Sequence, residues 1–281
     1  MAPTLILVAA VVFYPIAETI LMSLSKVNSL AEPTGFVGLA NYSALFGDAV
    51  FVRVVIQTLV WTIIVVGVTT VVSIPTALAL NLRFPGRRIA RSILIVPWAA
   101  SLMINAIIWR WILDGQYSIL NTLLLDLHLI SKPIVWLGSE NIAFASVMVV
   151  GILVSIPFTS FSLLAGLQAI PAELYEAARM DGAGFWTTLW RITLPLLRQT
   201  LTITTILNVI YVFNSFPIIW LTTQGAPAYH TDIIVTYLYK KAFSEGNYGS
   251  ASAMAVLTFL VLLAFSLAFA RLSRERSGAT R

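Results

Sequence analysis

The sequence predicts an all-α polytopic membrane protein with about six transmembrane helices, forming one domain over residues 1–281. Three observations predict it. Of the residues, 59% are hydrophobic and only 10% charged, whereas soluble domains run at about 45–50% and about 25%. Apolar windows recur near 3–25, 54–81, 92–113, 141–166, 199–222 and 249–270. Each is long enough, at about 1.5 Å per residue, to cross a hydrocarbon core of about 30 Å. Finally, the positive charge collects in a few short loops.

The first window, "MAPTLILVAAVVFYPIAETILMSLS", lacks a basic start and a small-residue cleavage pattern, and Glu18 interrupts it. It reads as a retained first span. Between the second and third windows, "NLRFPGRRIARS" holds Arg83, Arg87, Arg88 and Arg91 without an acid. The tail "ARLSRERSGATR" carries Arg271, Arg274, Arg276 and Arg281 against Glu275. Basic loops stay in the cytoplasm. Both termini and residues 167–197 are therefore expected inside, and the loops 26–53, 114–140 and 223–248 outside.

Pro75, Pro97, Pro157 and Pro217 fall within spans. Each removes a backbone donor, and such breaks survive where neighbours or a water-filled cavity satisfy the freed carbonyls. Static kinks and helices bent around a path both fit.

Other chemistry is scarce. Net charge is +5 and there is no cysteine, so no disulfide, thiolate metal site or catalytic thiol exists. The positive charge has a use in membrane orientation, and no nucleic-acid partner is expected. His128 and His230 stand in separate outer loops and suggest neither an enzyme nor a metal site. Beyond Glu18 the spans offer almost no ionisable residue, whereas an ion-coupled secondary transporter generally needs them mid-span.

The most polar stretch, "EAARMDGAGFWTTLWRITLP" (176–195), lies on the expected cytoplasmic side. Pro171 fits a first helical position. Glu173 and Glu176 suit the early turns through the helix dipole, and Glu176 can pair with Arg179 three residues on. Leu174, Ala177 and Ala178 make a narrow apolar face, Gly182 and Gly184 are expected to end the helix, and a second helix carries Phe185, Leu189 and Ile192. A loop lying on the lipid and a knob that docks a partner both remain open.

A second pattern runs through three spans. Thr204, Asn208, Tyr211 and Ser215 recur at helical spacing on the fifth, Trp98, Leu102 and Asn105 on the third, and Gly151, Ser155 and Phe158 on the fourth. These are a candidate pore wall, or equally the hydrogen-bonding glue between spans. "WRWILDG" reads as an interfacial anchor, with Arg110 able to pair with Asp114.

The E-A-A run, Asp181-Gly182 and Ile192-x-Leu194-Pro195 together resemble the EAA loop of bacterial ABC importer permeases. "PWAASLMINAIIWRWILDGQYSILNTLL" (97–124) and "FNSFPIIWLTTQGAP" (213–227) extend the resemblance to the maltose-type sugar permeases. Among these the chain is most similar to the SugA-like subunits of trehalose importers. It departs at Ser118, where glycine is common, at Ala226, which replaces a second glycine, and at Glu18.

The resemblance implies a type I ABC importer permease fold in a bacterial inner membrane. It implies that Glu173, Glu176, Ala177, Ala178, Asp181 and Gly182 form the coupling helix that docks on an ATPase. It implies that Trp98, Leu102, Ser155, Phe158, Asn208 and Ser215 line a path for trehalose or a related sugar; Asn105 and Tyr211 join the candidates from the helical pattern. Another oligosaccharide or glycerol phosphate is the alternative cargo. The implied partners are a second, SugB-like permease, an ATPase dimer and an extracytoplasmic substrate-binding protein. The chain has no G-x-x-x-x-G-K-[ST] loop, so no cofactor is expected on it, and ATP and Mg²⁺ belong to the ATPase.

Overall fold

The computed structural model describes residues 6–278. Residues 3–5 of the first predicted span, Arg281 and the side chains of Arg274 and Arg276 lie outside the described part. A π-helical turn, Ala9–Phe13, leads into α1 (Tyr14–Ser23). A short antiparallel hairpin of β1 (Ser25–Val27) and β2 (Pro33–Phe36) follows, then α2 (Ala40–Gly47). The long helix α3 (Ala49–Asn81) starts at Asp48, whose Oδ1 accepts the Val50 N–H at 2.9 Å.

Next come α4 (Arg87–Ala99), α5 (Leu102–Ile112), α6 (Ile119–Asp126) and the second long helix α7 (Glu140–Gln168). The segment expected in the cytoplasm is α8 (Ala172–Met180), α9 (Phe185–Thr188) and a π-helical turn, Leu189–Thr193. The turn runs directly into α10 (Leu194–Phe213). The C-terminal part contains α11 (Phe216–Thr222), α12 (Ile234–Tyr239), a π-helical turn at Lys240–Ser244 and α13 (Tyr248–Gly278).

Five stretches among the described residues are long and apolar enough to span: Ile6–Ser23, Ala49–Asn81, Ile142–Gln168, Phe185–Thr222 and Tyr248–Phe269. A sixth is reached when α4 and α5, bent by 98° at the break between them, are taken together as one broken span. The single third helix predicted over 92–113 is thus broken. Pro97 withholds a donor in the last turn of α4, and Ala100 and Ser101 are extended. Asn105 reaches back from α5, its Nδ2 within hydrogen-bond range of the carbonyls of Pro97 (3.0 Å), Ala100 (3.2 Å) and Ser101 (3.2 Å). Ser101 caps α5 by accepting the Ile104 N–H at 3.3 Å.

The fifth span breaks as well, but at Asn214–Ser215 rather than at Pro217, which sits in the first turn of α11. The Val212 carbonyl receives the Trp61 indole N–H at 2.9 Å, and the Ile210 carbonyl receives the Asn214 amide at 2.9 Å. Pro75 and Pro157 lie inside helices that stay continuous.

The core is the α3–α7 seam with α10 and α11 against it. Trp61 is fully buried among Val65, Val147, Val150, Val212 and Ile219. Gly151 lets it in: a Cβ there would lie 2.7 Å from the Trp61 ring. Small residues permit such close approach between membrane helices. Ser118, flagged as a departure, caps α6 by accepting the Asn121 N–H at 3.0 Å.

Two outcomes follow. Gly151→Leu overpacks the seam and should destabilise the protein by about 1–3 kcal/mol, read as a lower melting temperature in detergent. Asn105→Ala leaves the Pro97 and Ala100 carbonyls without their side-chain donor and should cost about 1–3 kcal/mol by the same measurement. An unchanged melt in either variant contradicts the packing described.

Candidate functional site

A cleft of about 420 Å³ opens where α4, α7 and α10 meet. Trp98 comes from α4, Val154, Ser155 and Phe158 from α7, and Leu207, Asn208 and Tyr211 from α10. None of the seven carries a charge. The Trp98 and Phe158 rings stack with centroids 6.4 Å apart and planes 22° apart. Trp98 is 45% exposed and Tyr211 42%, so both aromatic surfaces remain open.

Polar order runs down one wall. Asn208, 2% exposed, donates its amide to Thr159 Oγ1 at 2.7 Å. Thr159 donates to the Ser155 carbonyl at 3.0 Å, and Ser155 donates to the Gly151 carbonyl at 2.7 Å. The hydroxyl hydrogens are therefore spent within α7. Asn208 Oδ1 keeps an acceptor with no partner among the described residues. Flat apolar faces beside one fixed amide acceptor suit a neutral, hydroxyl-rich ligand.

Five of the sequence candidates therefore share the cleft: Trp98, Ser155, Phe158, Asn208 and Tyr211. Three do not. Leu102 packs against the Trp61 cluster, Asn105 is spent on the break in the third span, and Ser215 is buried at the residue preceding α11. Of the other patterned residues, Gly151 is covered by Trp61. Val154 and Leu207 were missed. Each stands four residues before a candidate on its own helix, Phe158 and Tyr211, so helical phase puts it on that face, but an apolar side chain in a span marks no site by itself.

The second candidate site is α8 and its turn. Pro171 is the residue before the helix, and Glu173 lies in the first turn. The helix ends at Met180, and Gly182 just beyond it turns the chain with a φ of +74°, the left-handed conformation glycine accepts. The Ala183 N–H then closes on the Ala178 carbonyl at 2.8 Å. Gly184 does not end the helix; its φ is −74° and it precedes α9. The expected second helix is not separate, because α9 and the π-helical turn continue into α10.

Glu173, Glu176, Ala177, Asp181 and Gly182 are exposed, while Ala178 is buried against its own chain. The Tyr175 hydroxyl meets Thr193 Oγ1 at 3.3 Å, tying α8 to the turn below α10. Glu176 and Arg179 form no ion pair, in keeping with the small value of an exposed pair. Leu174, Met180, Phe185, Trp186 and Trp190 are exposed nearby. The sequence reading had not singled out Met180, Trp186 or Trp190.

Other polar groups serve the outer loops. Arg110 points at the Leu221 carbonyl at 3.5 Å rather than pairing with Asp114. The N–H groups of Tyr117 and Gln116 hold the Asp114 carboxyl below the usual range. His230 approaches Glu140 at 3.3 Å and Arg53 at 3.3 Å. Asp232 is fully buried, held by Lys240 Nζ at 2.6 Å and Thr236 Oγ1 at 2.8 Å. Gly225, with φ +79°, lies so close to that carboxylate that a Cβ would collide with it. Ala226, by contrast, is exposed.

Comparison with known proteins gives a consistent result. The profile described as "Binding-protein-dependent transport system inner membrane component" matches residues 69–277. A probable ABC transporter permease of Brucella abortus is 46% identical over 96% of this chain and 94% of its own length. The trehalose/maltose transport system permease protein MalF of Thermococcus litoralis is 34% identical, covering 98% and 92%. The sulfoquinovosyl glycerol transport permease SmoG of Agrobacterium fabrum is 33% identical, covering 98% and 89%. In fold, a chain of a bacterial ABC transporter that imports alginate superposes with a TM-score of 0.84 at 23% identity, over 97% of this chain and 93% of that one. Members of this family are transport subunits, not enzymes. The chain belongs to the inner-membrane permease components of binding-protein-dependent ABC transport systems.

Proposed function

We propose that the chain is one permease subunit of a sugar importer and forms half of a path for trehalose or a related neutral di- or oligosaccharide, in the manner of the SugA-like subunits. The observation that carries this reading is the uncharged cleft with stacked Trp98 and Phe158 beside the free Asn208 acceptor. A pyranose ring offers an apolar face for the indole and hydroxyls for the amide. The relatives' named cargoes vary, including trehalose/maltose, sulfoquinovosyl glycerol and diacetylchitobiose. An anionic cargo such as glycerol phosphate would want a cation, and the lining residues supply none.

Energy would arrive through α8. Its exposed Glu173, Glu176, Ala177, Asp181 and Gly182, ringed by exposed aromatic residues, suit insertion in a partner ATPase that carries ATP and Mg²⁺. Ala178 would hold the helix to its own subunit. A second, SugB-like permease would complete the path, and an extracytoplasmic binding protein would deliver the sugar. Both termini would lie inside, in a bacterial inner membrane.

The test is trehalose uptake at matched expression. Asn208→Ala removes the acceptor, and one lost hydrogen bond at about 0.5–1.5 kcal/mol should lower uptake several-fold. Asn214→Ala, outside the cleft, should have a smaller effect. Normal uptake in Asn208→Ala, or a worse defect in Asn214→Ala, sinks the proposed path.

A further inference from the structure

The loop that enters α4 does more than carry charge. Arg83, Arg87 and Arg88 line an open hollow of about 710 Å³ together with Phe84 and Ile89. The stretch from Asn81 to Ser92 contains no acid, and none of these three arginine side chains makes a hydrogen bond or ion pair with a described residue. Arg91 gives one bond to the Leu80 carbonyl at 3.2 Å. The Nε atoms of Arg87 and Arg91 are nevertheless closed off from solvent without a partner. Buried donors are normally satisfied. Like charges lining one hollow also repel one another unless an anion lies among them.

The surroundings narrow the choice of anion. Ile89, Ile93 and Val96 are exposed and recur along one face of α4, leading away from the hollow toward the membrane interior. Leu82 is exposed on the other side of the loop. A basic head above an apolar stripe is the profile of a contact with lipid headgroup and acyl chain together. Gly86, at φ +87°, precedes α4 without a side-chain cap, and the Arg87 N–H is taken by the Phe84 carbonyl at 3.4 Å, so the side chains carry the site.

We propose that this hollow binds the phosphate headgroup of an anionic phospholipid, with an acyl chain along Ile89, Ile93 and Val96. Arg87 and Arg88 grip the phosphate through the planar guanidinium fork, and Arg83 closes the hollow from the loop side. The role differs from setting orientation, which needs positive charge in the loop but no hollow. It is also independent of the sugar path.

The test uses the assembled transporter, delipidated in detergent and titrated with phosphatidylglycerol, phosphatidylcholine and inorganic phosphate, with bound lipid read by native mass spectrometry. Phosphatidylglycerol should bind selectively. Arg87→Gln should weaken it about fivefold, the change expected for one basic residue at an anionic surface. Arg271→Gln, an exposed arginine on the same expected side of the membrane, should leave it unchanged. Should Arg87→Gln fail to assemble, Arg83→Gln serves instead, since Arg83 is exposed and bonded to nothing described. Equal binding of phosphatidylcholine overturns the proposal, as does an equal loss in Arg271→Gln. Displacement of the lipid by millimolar-range phosphate would point to a free-anion site and overturn it too.

Discussion

A helix can break inside hydrocarbon only if something takes up the carbonyls it releases, and the rest of this structure depends on how that is done. The bilayer core offers no water, and each unsatisfied backbone group costs several kcal/mol. Two breaks matter here. At the third span the Asn105 amide collects the freed carbonyls of Pro97 and Ala100, while the Ser101 carbonyl already accepts the Asn105 backbone N–H. At the fifth, the Trp61 indole takes the Val212 carbonyl. Neither donor is on the segment that lost its bonds: Asn105 reaches from the far side of its break, and Trp61 from another span.

These repairs position the cleft. Trp98 follows Pro97 immediately, in the last turn before the third span bends by 98°. The bend leaves its ring beside Phe158 instead of in a continuous helix wall. Trp61 is buried against α7 at Gly151 and bonded to α10 at Val212. It thereby fixes the separation of the two helices that supply Ser155, Phe158, Asn208 and Tyr211. The Asn208–Thr159 bond at 2.7 Å ties the same two helices at the level of the cleft. A residue that lines nothing thus decides the shape of the site.

Much of this was legible in the sequence, and the misses share one cause. Span number, the left-handed turn at Gly182 and five residues of the cleft follow from composition, glycine chemistry and helical phase. Those rules describe one helix at a time. Asn105 has the same phase as Trp98 and Leu102 in an unbroken helix, so it looked like wall; only the bend turns it into a cap. Pro217 looked like the breaking point, but proline tolerates a first helical turn, and the chain breaks just ahead of it. Glu176 and Arg179 had pairing distance on paper and no energetic reason to stay together in water. Val154 and Leu207 are ordinary apolar residues until three helices are assembled around them.

The chain has no native cysteine, which makes the central claim directly measurable. Leu207→Cys places a thiol in the cleft, and Ile63→Cys places one on the exposed outer face of α3. Both would be treated with a water-soluble maleimide in the assembled importer, with and without trehalose and its binding protein. The account predicts labelling at Leu207→Cys that transported sugar slows, and none at Ile63→Cys, on the exposed apolar face of a membrane-spanning helix. Labelling at Leu207→Cys that is absent, or indifferent to sugar while uptake proceeds, would contradict it.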